Sequence, residues 1–419
     1  MNYALKLSLK NLFRHKLRTA VTIAAVAVAV TVVVFARGWV NGIIEGFSEA
    51  YTHYSIGHIR IIDREYRARE RLLTLLHPVD GFEGEGAGPM ITELEKMQGV
   101  EHVLPRIKFG AMAATEDELV DMAGWAVDAE KEKSFTRIET KITEGRMPSA
   151  GERKVLMGGK LLKRLGIGVG EKITIVYSTA YGSLGGTTFE VSGRIESGLK
   201  MLNEKVFYLP IDVARELLYM EDQATEIIIG LSSMEKAREV MPEVEAFLEE
   251  QGGSGRYKPI PWYNSGTLVE SISLMRYVYG FIYLFLVLLA CFVIANTMIM
   301  IVSERKKEIG MMGALGMEKK SILRIFLLEG VIKGAAGSFA GALLGGALTL
   351  HLSSAGIDLG DALAEMSQEV FYSQVIYPVF SVSNMIFGFL LGVILVALAG
   401  YLPARKAAGL KPTEALREG

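Results

Sequence analysis

Four long apolar stretches punctuate this chain, at Leu17–Val40, Leu274–Val302, Ile322–Leu352 and Phe380–Leu402. Each is long enough to cross a bilayer, which takes about 20 mostly apolar residues at 1.5 Å of helical rise apiece. The long segment between the first two, Glu45–Glu270, has a different texture: charged, mixed and broken into short runs. Ile56–Ile62, Lys154–Met157, Lys172–Tyr177, Thr187–Ile195, Lys205–Leu209, Glu226–Leu231 and Arg256–Pro261 read as strands, several with period-two alternation. Ile91–Met97, Gly159–Leu165, Ile211–Leu218 and Met234–Glu250 read as helices, with glycine-rich loops at Gly81–Gly88 and Gln251–Gly255. The pattern predicts an integral membrane protein of four transmembrane α-helices. A large extracytoplasmic α+β domain of two lobes is inserted between the first and second.

Charge orients these pieces. Lys6, Lys10, Arg14, Lys16 and Arg18 precede the first span with no acidic residue among them. Arg305, Lys306, Lys307, Lys319, Lys320 and Arg324 lie between the second and third, and Arg405, Lys406, Lys411 and Arg417 follow the fourth. The segment Ser353–Val379 carries Asp358, Asp361, Glu365 and Glu369 and no cation. Basic flanks stay in the cytoplasm, so both termini and the 303–321 segment are expected inside, and the inserted domain and acidic loop outside. The expected division is an amphipathic cytoplasmic helix over 1–18, spans over 19–44, 271–302, 322–352 and 380–402, and an outer domain over 45–270. A cytoplasmic coupling element occupies 303–321, a short external loop 353–379 and a cytoplasmic tail 403–419. A cleaved signal peptide shares the basic start, but the apolar run continues past Ala36 through Trp39, Val40, Ile43 and Ile44, which argues for a retained span. Arg37 and Lys333, near the ends of their spans, are expected to snorkel toward water.

Composition narrows the chemistry. The one cysteine, Cys291, lies inside a span, and the six histidines have no HExxH spacing, so neither a disulfide framework nor a metal site is expected. A net charge of −2 without a basic, aromatic-laced stripe gives no reason to expect nucleic acid. No GxSxG elbow and no GxxxxGK[ST] phosphate loop occurs. The glycines at Gly166, Gly168 and Gly170 precede a strand rather than open a helix, so they read as a turn. No catalytic residue and no bound cofactor is expected on this chain.

The segment between the second and third spans reads SERKKEIGMMGALG from Ser303 to Gly316. Glu304 and Glu308 share a helix face, with Arg305 and Lys306 placed to pair locally. Ile309, Met311, Met312 and Leu315 offer apolar contact, and Gly310, Gly313 and Gly316 permit close approach or a sharp turn. This pattern resembles the ERxxEIGxxRAxG signature of the FtsX-like permease family, the membrane subunits of MacB-type ABC transporters. Glu304, Arg305, Glu308, Ile309, Gly310, Ala314 and Gly316 match it, while Gly313 stands where that family has Arg or Lys. ILRIFLLE at Ile322–Glu329, LPARKAAGLKPTEALR at Leu402–Arg417 and the lead ALKLSLKNLFRHKLRT at Ala4–Thr19 resemble the family's other conserved stretches.

The resemblance implies a dimeric permease, with a second copy or a paralogue, bound to two ATPase subunits that carry ATP and Mg. It implies that Glu304, Arg305, Glu308–Met312 and Ala314–Gly316 receive motion from the ATPase and pass it to the outer domain. Release of lipoproteins from the inner membrane of a bacterium is the leading expectation. Efflux of drugs, toxins or peptides through a periplasmic adaptor is one alternative, and activation of an envelope hydrolase another. A lipid-anchored substrate or membrane lipid would meet Val40, Ile43, Ile44, Phe47, Leu268, Ile272 and Met275 at the top of the first two spans. In the third span Gly330, Gly334, Gly337, Gly341 and Gly345 form a small-residue ridge for close helix contact, within one chain or across a dimer.

Overall fold

The computed structural model describes residues 16–114, 119–197, 199–304, 306–358 and 375–408. They form two compact units. One gathers the chain up to Glu45, Leu274–Asp358 and the chain from Val375; the other holds Gly46–Ser273.

Among the described residues, four helices long and apolar enough to cross a membrane run over Lys16–Tyr51, Gly266–Glu304, Lys319–Ala355 and Val382–Ala408. The first packs on the third and fourth through Val26, Val30, Val34, Ala342 and Val396. It meets the second through Ala29, Val33 and Ala290. The second is the least covered, with Tyr277, Phe281, Phe285, Leu288 and Phe292 exposed. A two-residue ladder, Ile357 with Ile376 and Asp358 with Val375, lies between the third and fourth. Just beyond it, the Val379 amide donates to the Gly38 carbonyl of the first helix at 2.9 Å.

Among the described residues, the inserted unit is built on one sheet of ten strands. They are β1 (Ile59–Asp63), β2 (Val100–Ala114), β3 (Leu119–Val127), β4 (Ile142–Gly145), β5 (Lys154–Gly158), β6 (Lys172–Ser178), β7 (Leu184–Ile195), β8 (Val206–Pro210), β9 (Glu226–Leu231) and β10 (Tyr257–Pro261). Their order is β10-β1-β9-β2-β3-β8-β5-β7-β4, and β6 pairs with both β7 and β2. Strands β2, β3, β8, β5, β7 and β6 therefore close on themselves as a small barrel. Ile107, Phe109, Val120, Ile175, Phe189 and Phe207 fill it, packed against helices Gly159–Leu165 and Ile211–Leu218. Strands β10, β1 and β9 carry a second core on one face, with Ile59, Ile61, Ile227 and Ile229 beneath helices Ala87–Leu94 and Ala237–Glu250.

The alternation in the sequence anticipated this domain's character and missed its spine. β2 and β3, paired from Arg106↔Val127 to Ala114↔Leu119, were not expected as strands. Pro105 and Gly110 interrupt the pattern, and Arg106 and Lys108 look like an open face although both are buried. The first strand also starts later than Ile56, because Thr52–Ile56 coils into a wide π-helical turn ending at Gly57 (φ +69°).

Candidate functional site

Four places carry the residues of interest, and the first is the segment after the second membrane helix. Lys306–Ala314 forms a separate short helix. Ile309 is 3% exposed and sits in a cluster with Ile322, Phe326 and Ala404, with Met312 and Met317 packed against it. The helix stops because Gly316 adopts φ +85°. Its amide donates to the Gly313 carbonyl (3.1 Å) and that of Met317 to Met312 (3.1 Å), which is the Schellman arrangement with its apolar contact in place. Only glycine takes that conformation without strain, so Gly316 terminates the helix, while Gly310 and Gly313 lie within it. Ile309 and Met312 face inward and anchor the element. Met311, Ala314 and Leu315 are exposed and form its outer apolar face. Glu308 is half-buried; Arg305 and the Glu304 side chain lie outside the described residues.

Seven residues are expected to meet lipid at the top of the first two spans. Ile43, Phe47, Leu268 and Met275 are buried, Leu268 completely, while Val40, Ile44 and Ile272 are half-buried. The exposed apolar side chains of the second helix include Val269, Leu274, Tyr277 and Val278.

The ridge glycines lie against their own chain. A Cβ on Gly337 would stand 2.8 Å from the Ile23 carbonyl oxygen, one on Gly341 would collide with that of Ala27, and one on Gly345 would be 3.0 Å from that of Thr31. Gly334 meets Val396 of the fourth helix instead. Lys333 corrects an expectation: its ammonium pairs with Glu329 at 2.7 Å, and both are buried. A partner one turn away holds it in the helix bundle rather than at the water.

The fourth place was not anticipated. Arg106 and Lys108 are two residues apart on β2, so the pleat sends both to one face, opposite the Ile59–Ile229 core. Glu226 of β9 stands across from Arg106. The Arg106 guanidinium donates from Nε and Nη2 to the Glu132 carboxylate (3.1 and 2.6 Å), Glu132 coming from helix Ala129–Thr136. Lys108 Nζ lies 2.8 Å from Glu226, and Arg60 of β1 bridges Glu226 (3.4 Å) and Glu70 (2.5 and 3.0 Å). Trp125 lies 4.3 Å beneath the Lys108 ammonium. Burial alone would raise the Glu226 carboxyl, but Lys108, Arg60 and Arg106 together hold it below its ordinary value. Burial pushes the Lys108 ammonium down, with Glu226 opposing. Two donors leave this knot of charge for the main chain. Arg106 Nη1 donates to the carbonyls of Tyr54 (3.2 Å) and Ser55 (3.1 Å), and Lys108 Nζ to that of Ser55 (2.9 Å). The only signal in the sequence was two cations at strand spacing and a glutamate opening the apolar run Glu226–Leu231.

Residues 19–247 match the MacB-like periplasmic core domain, and residues 280–412 match the FtsX-like permease C-terminal family. The chain belongs to this permease family. Among relatives, the lipoprotein-releasing system transmembrane protein LolC of Xylella fastidiosa (strain 9a5c) is 23% identical over 342 residues, 79% of this chain and 77% of that one. The macrolide export ATP-binding/permease protein MacB of Nitrobacter winogradskyi is 29% identical over 281 residues, 64% of this chain and 39% of that one. The periplasmic region of MacB from Actinobacillus actinomycetemcomitans aligns at 12% identity and a TM-score of 0.36, covering 51% of this chain and 94% of that one. This FtsX-like permease is thus a multi-pass membrane component of an ABC transporter of the MacB/LolC type, with an inserted extracytoplasmic domain.

Proposed function

We propose that the chain couples a separate ATPase to its outer domain and so releases lipoproteins from a bacterial inner membrane, working as a dimer with both termini in the cytoplasm. The observation that carries this reading is the alignment with LolC, which extends over about three quarters of both chains. The alignment with MacB covers 39% of that ATP-binding/permease protein. In this reading ATP and Mg belong to the partner ATPase. Met311, Ala314 and Leu315 are the apolar face offered to it, and Ile309 seats that face on the membrane unit. Efflux is the second reading, favoured by the match to the MacB-like core over residues 19–247.

The test is reconstitution of the permease with its co-purifying ATPase in proteoliposomes carrying a triacylated lipoprotein. ATP-dependent detachment of that protein is the expected outcome. ATP turnover that responds only to a soluble adaptor, with no detachment, would replace this reading with efflux.

A further inference from the structure

The charge knot of the outer domain raises a question that stability does not answer. Buried ion pairs are commonly no more stabilising than apolar residues of the same volume, because desolvation consumes the attraction. Arg106, Glu132 and Glu226 are nevertheless almost wholly buried, in a domain that has two apolar cores of its own. What charges add, and apolar packing does not, is direction. A forked guanidinium fixes its partners in angle as well as in distance. Here the direction is specific: both β2 cations reach the carbonyls of Tyr54 and Ser55.

Those carbonyls belong to the π turn that directly continues the first membrane helix, Lys16–Tyr51. The end of a helix leaves its last carbonyls without intrahelical donors and carries partial negative charge. Cations held in place from behind by Glu132 and Glu226 satisfy both needs at once. Strand β2 is in turn central: it pairs with β9, β3 and β6 and so touches both the barrel and the open half of the sheet.

We propose that Arg106 and Lys108 are positioning residues that fasten the end of the first membrane helix to β2, so that displacement of that helix is delivered to the whole outer sheet. Glu132 and Glu226 keep the two cations aimed. The proposal rests on the coupling reading above and names the joint through which it works.

The experiment uses the complete permease–ATPase complex in proteoliposomes. The paired change Arg106→Met with Glu132→Leu removes one cation and its own carboxylate, leaving Lys108 and Arg60 with Glu226. The readout is lipoprotein released per ATP hydrolysed. A merely structural role would lower the amount of active complex and leave that ratio at the wild-type value. The joint predicts at least a tenfold fall in the ratio, with ATPase association and basal turnover retained. A wild-type ratio overturns it.

A second measurement stays informative if the variant does not fold. Spin labels at Glu49→Cys and Glu101→Cys, in a Cys291→Ser background, report the spacing between the helix end and β2 through the ATP cycle. A constant spacing supports the joint, and a change of several ångströms overturns it. Absence of ATP-driven release from the wild-type complex would sink the transport reading instead, while the label spacing still judges the joint.

Discussion

The third membrane helix and strand β2 both bring foreign groups against main-chain carbonyls, by opposite means. The helix discards side chains, so that Gly337, Gly341 and Gly345 let it lie directly on the carbonyls of Ile23, Ala27 and Thr31. The strand keeps its longest side chains and reaches Tyr54 and Ser55 with charge. The difference follows from the surroundings. Between helices in lipid there is no hydrophobic driving force, and close van der Waals contact is the main resource. In the outer domain apolar burial is abundant but has no direction, and the carbonyls at a helix end need donors.

The most damaging way to probe the contrast is to unbalance the charges. Arg106→Met alone leaves Glu132 buried without its fork and should destabilise the outer domain by about 3–5 kcal/mol. Adding Glu132→Leu should recover most of that loss. Thermal unfolding of the full chain in detergent, followed by tryptophan fluorescence, measures both; equal costs for the single and double variants would show that the charges are not coupled.

Acid should separate the two regions next. His58 is buried, its Nδ1 accepts the Leu231 amide at 2.8 Å, and burial together with His53 brings it from 6.5 down to about 4. The unfolded chain therefore binds a proton between those values that the folded chain refuses. Stability from this residue is complete above pH 6.5 and declines as pH falls toward 4, by roughly 3 kcal/mol. His58→Asn, which keeps an acceptor and cannot titrate, should flatten that part of the stability–pH curve of the outer domain. An unaltered curve would mean that His58 is not its cause.

The smallest effect tests the ridge. Gly341→Ala places a methyl group against the Ala27 carbonyl and should cost the membrane unit about 1–3 kcal/mol. Gly280 of the second helix has nothing within 4 Å of such a methyl, so Gly280→Ala should be neutral or slightly stabilising. Thermal midpoints in detergent compare the two, and similar losses would remove the packing explanation.

The same contrast explains what could be read before the structure was known. Apolar runs such as Ala20–Ala36 announce themselves because lipid demands them over their whole length. Helices Gly159–Leu165 and Ile211–Leu218 were legible because each has one apolar face and a clear stop. β2 was not, since a strand polar on one face is indistinguishable from a solvated one until its neighbours are known. Glu226 and Glu132 are 120 and 26 residues from Arg106 along the chain, and only the fold brings them to it. In the Ser303–Gly316 segment the motif names residues without saying how they sit. Which residues face inward, Ile309 and Met312, depends on Ile322, Phe326 and Ala404, which no local spacing specifies.

The glycine ridge also bears on how the molecule is made. Gly330, Gly334, Gly337, Gly341, Gly345 and Gly346 all fall within Lys319–Ala355. In water each weakens a helix by about 1 kcal/mol relative to alanine, so on leaving the ribosome this stretch is a poor helix for its length. Lipid makes it helical by denying its amides any other partner, and its grooves are filled only when the first and fourth helices are already beside it. Synthesis order therefore matters: the third helix is inserted before the fourth exists, and its final seat waits for the last segment of the bundle to arrive.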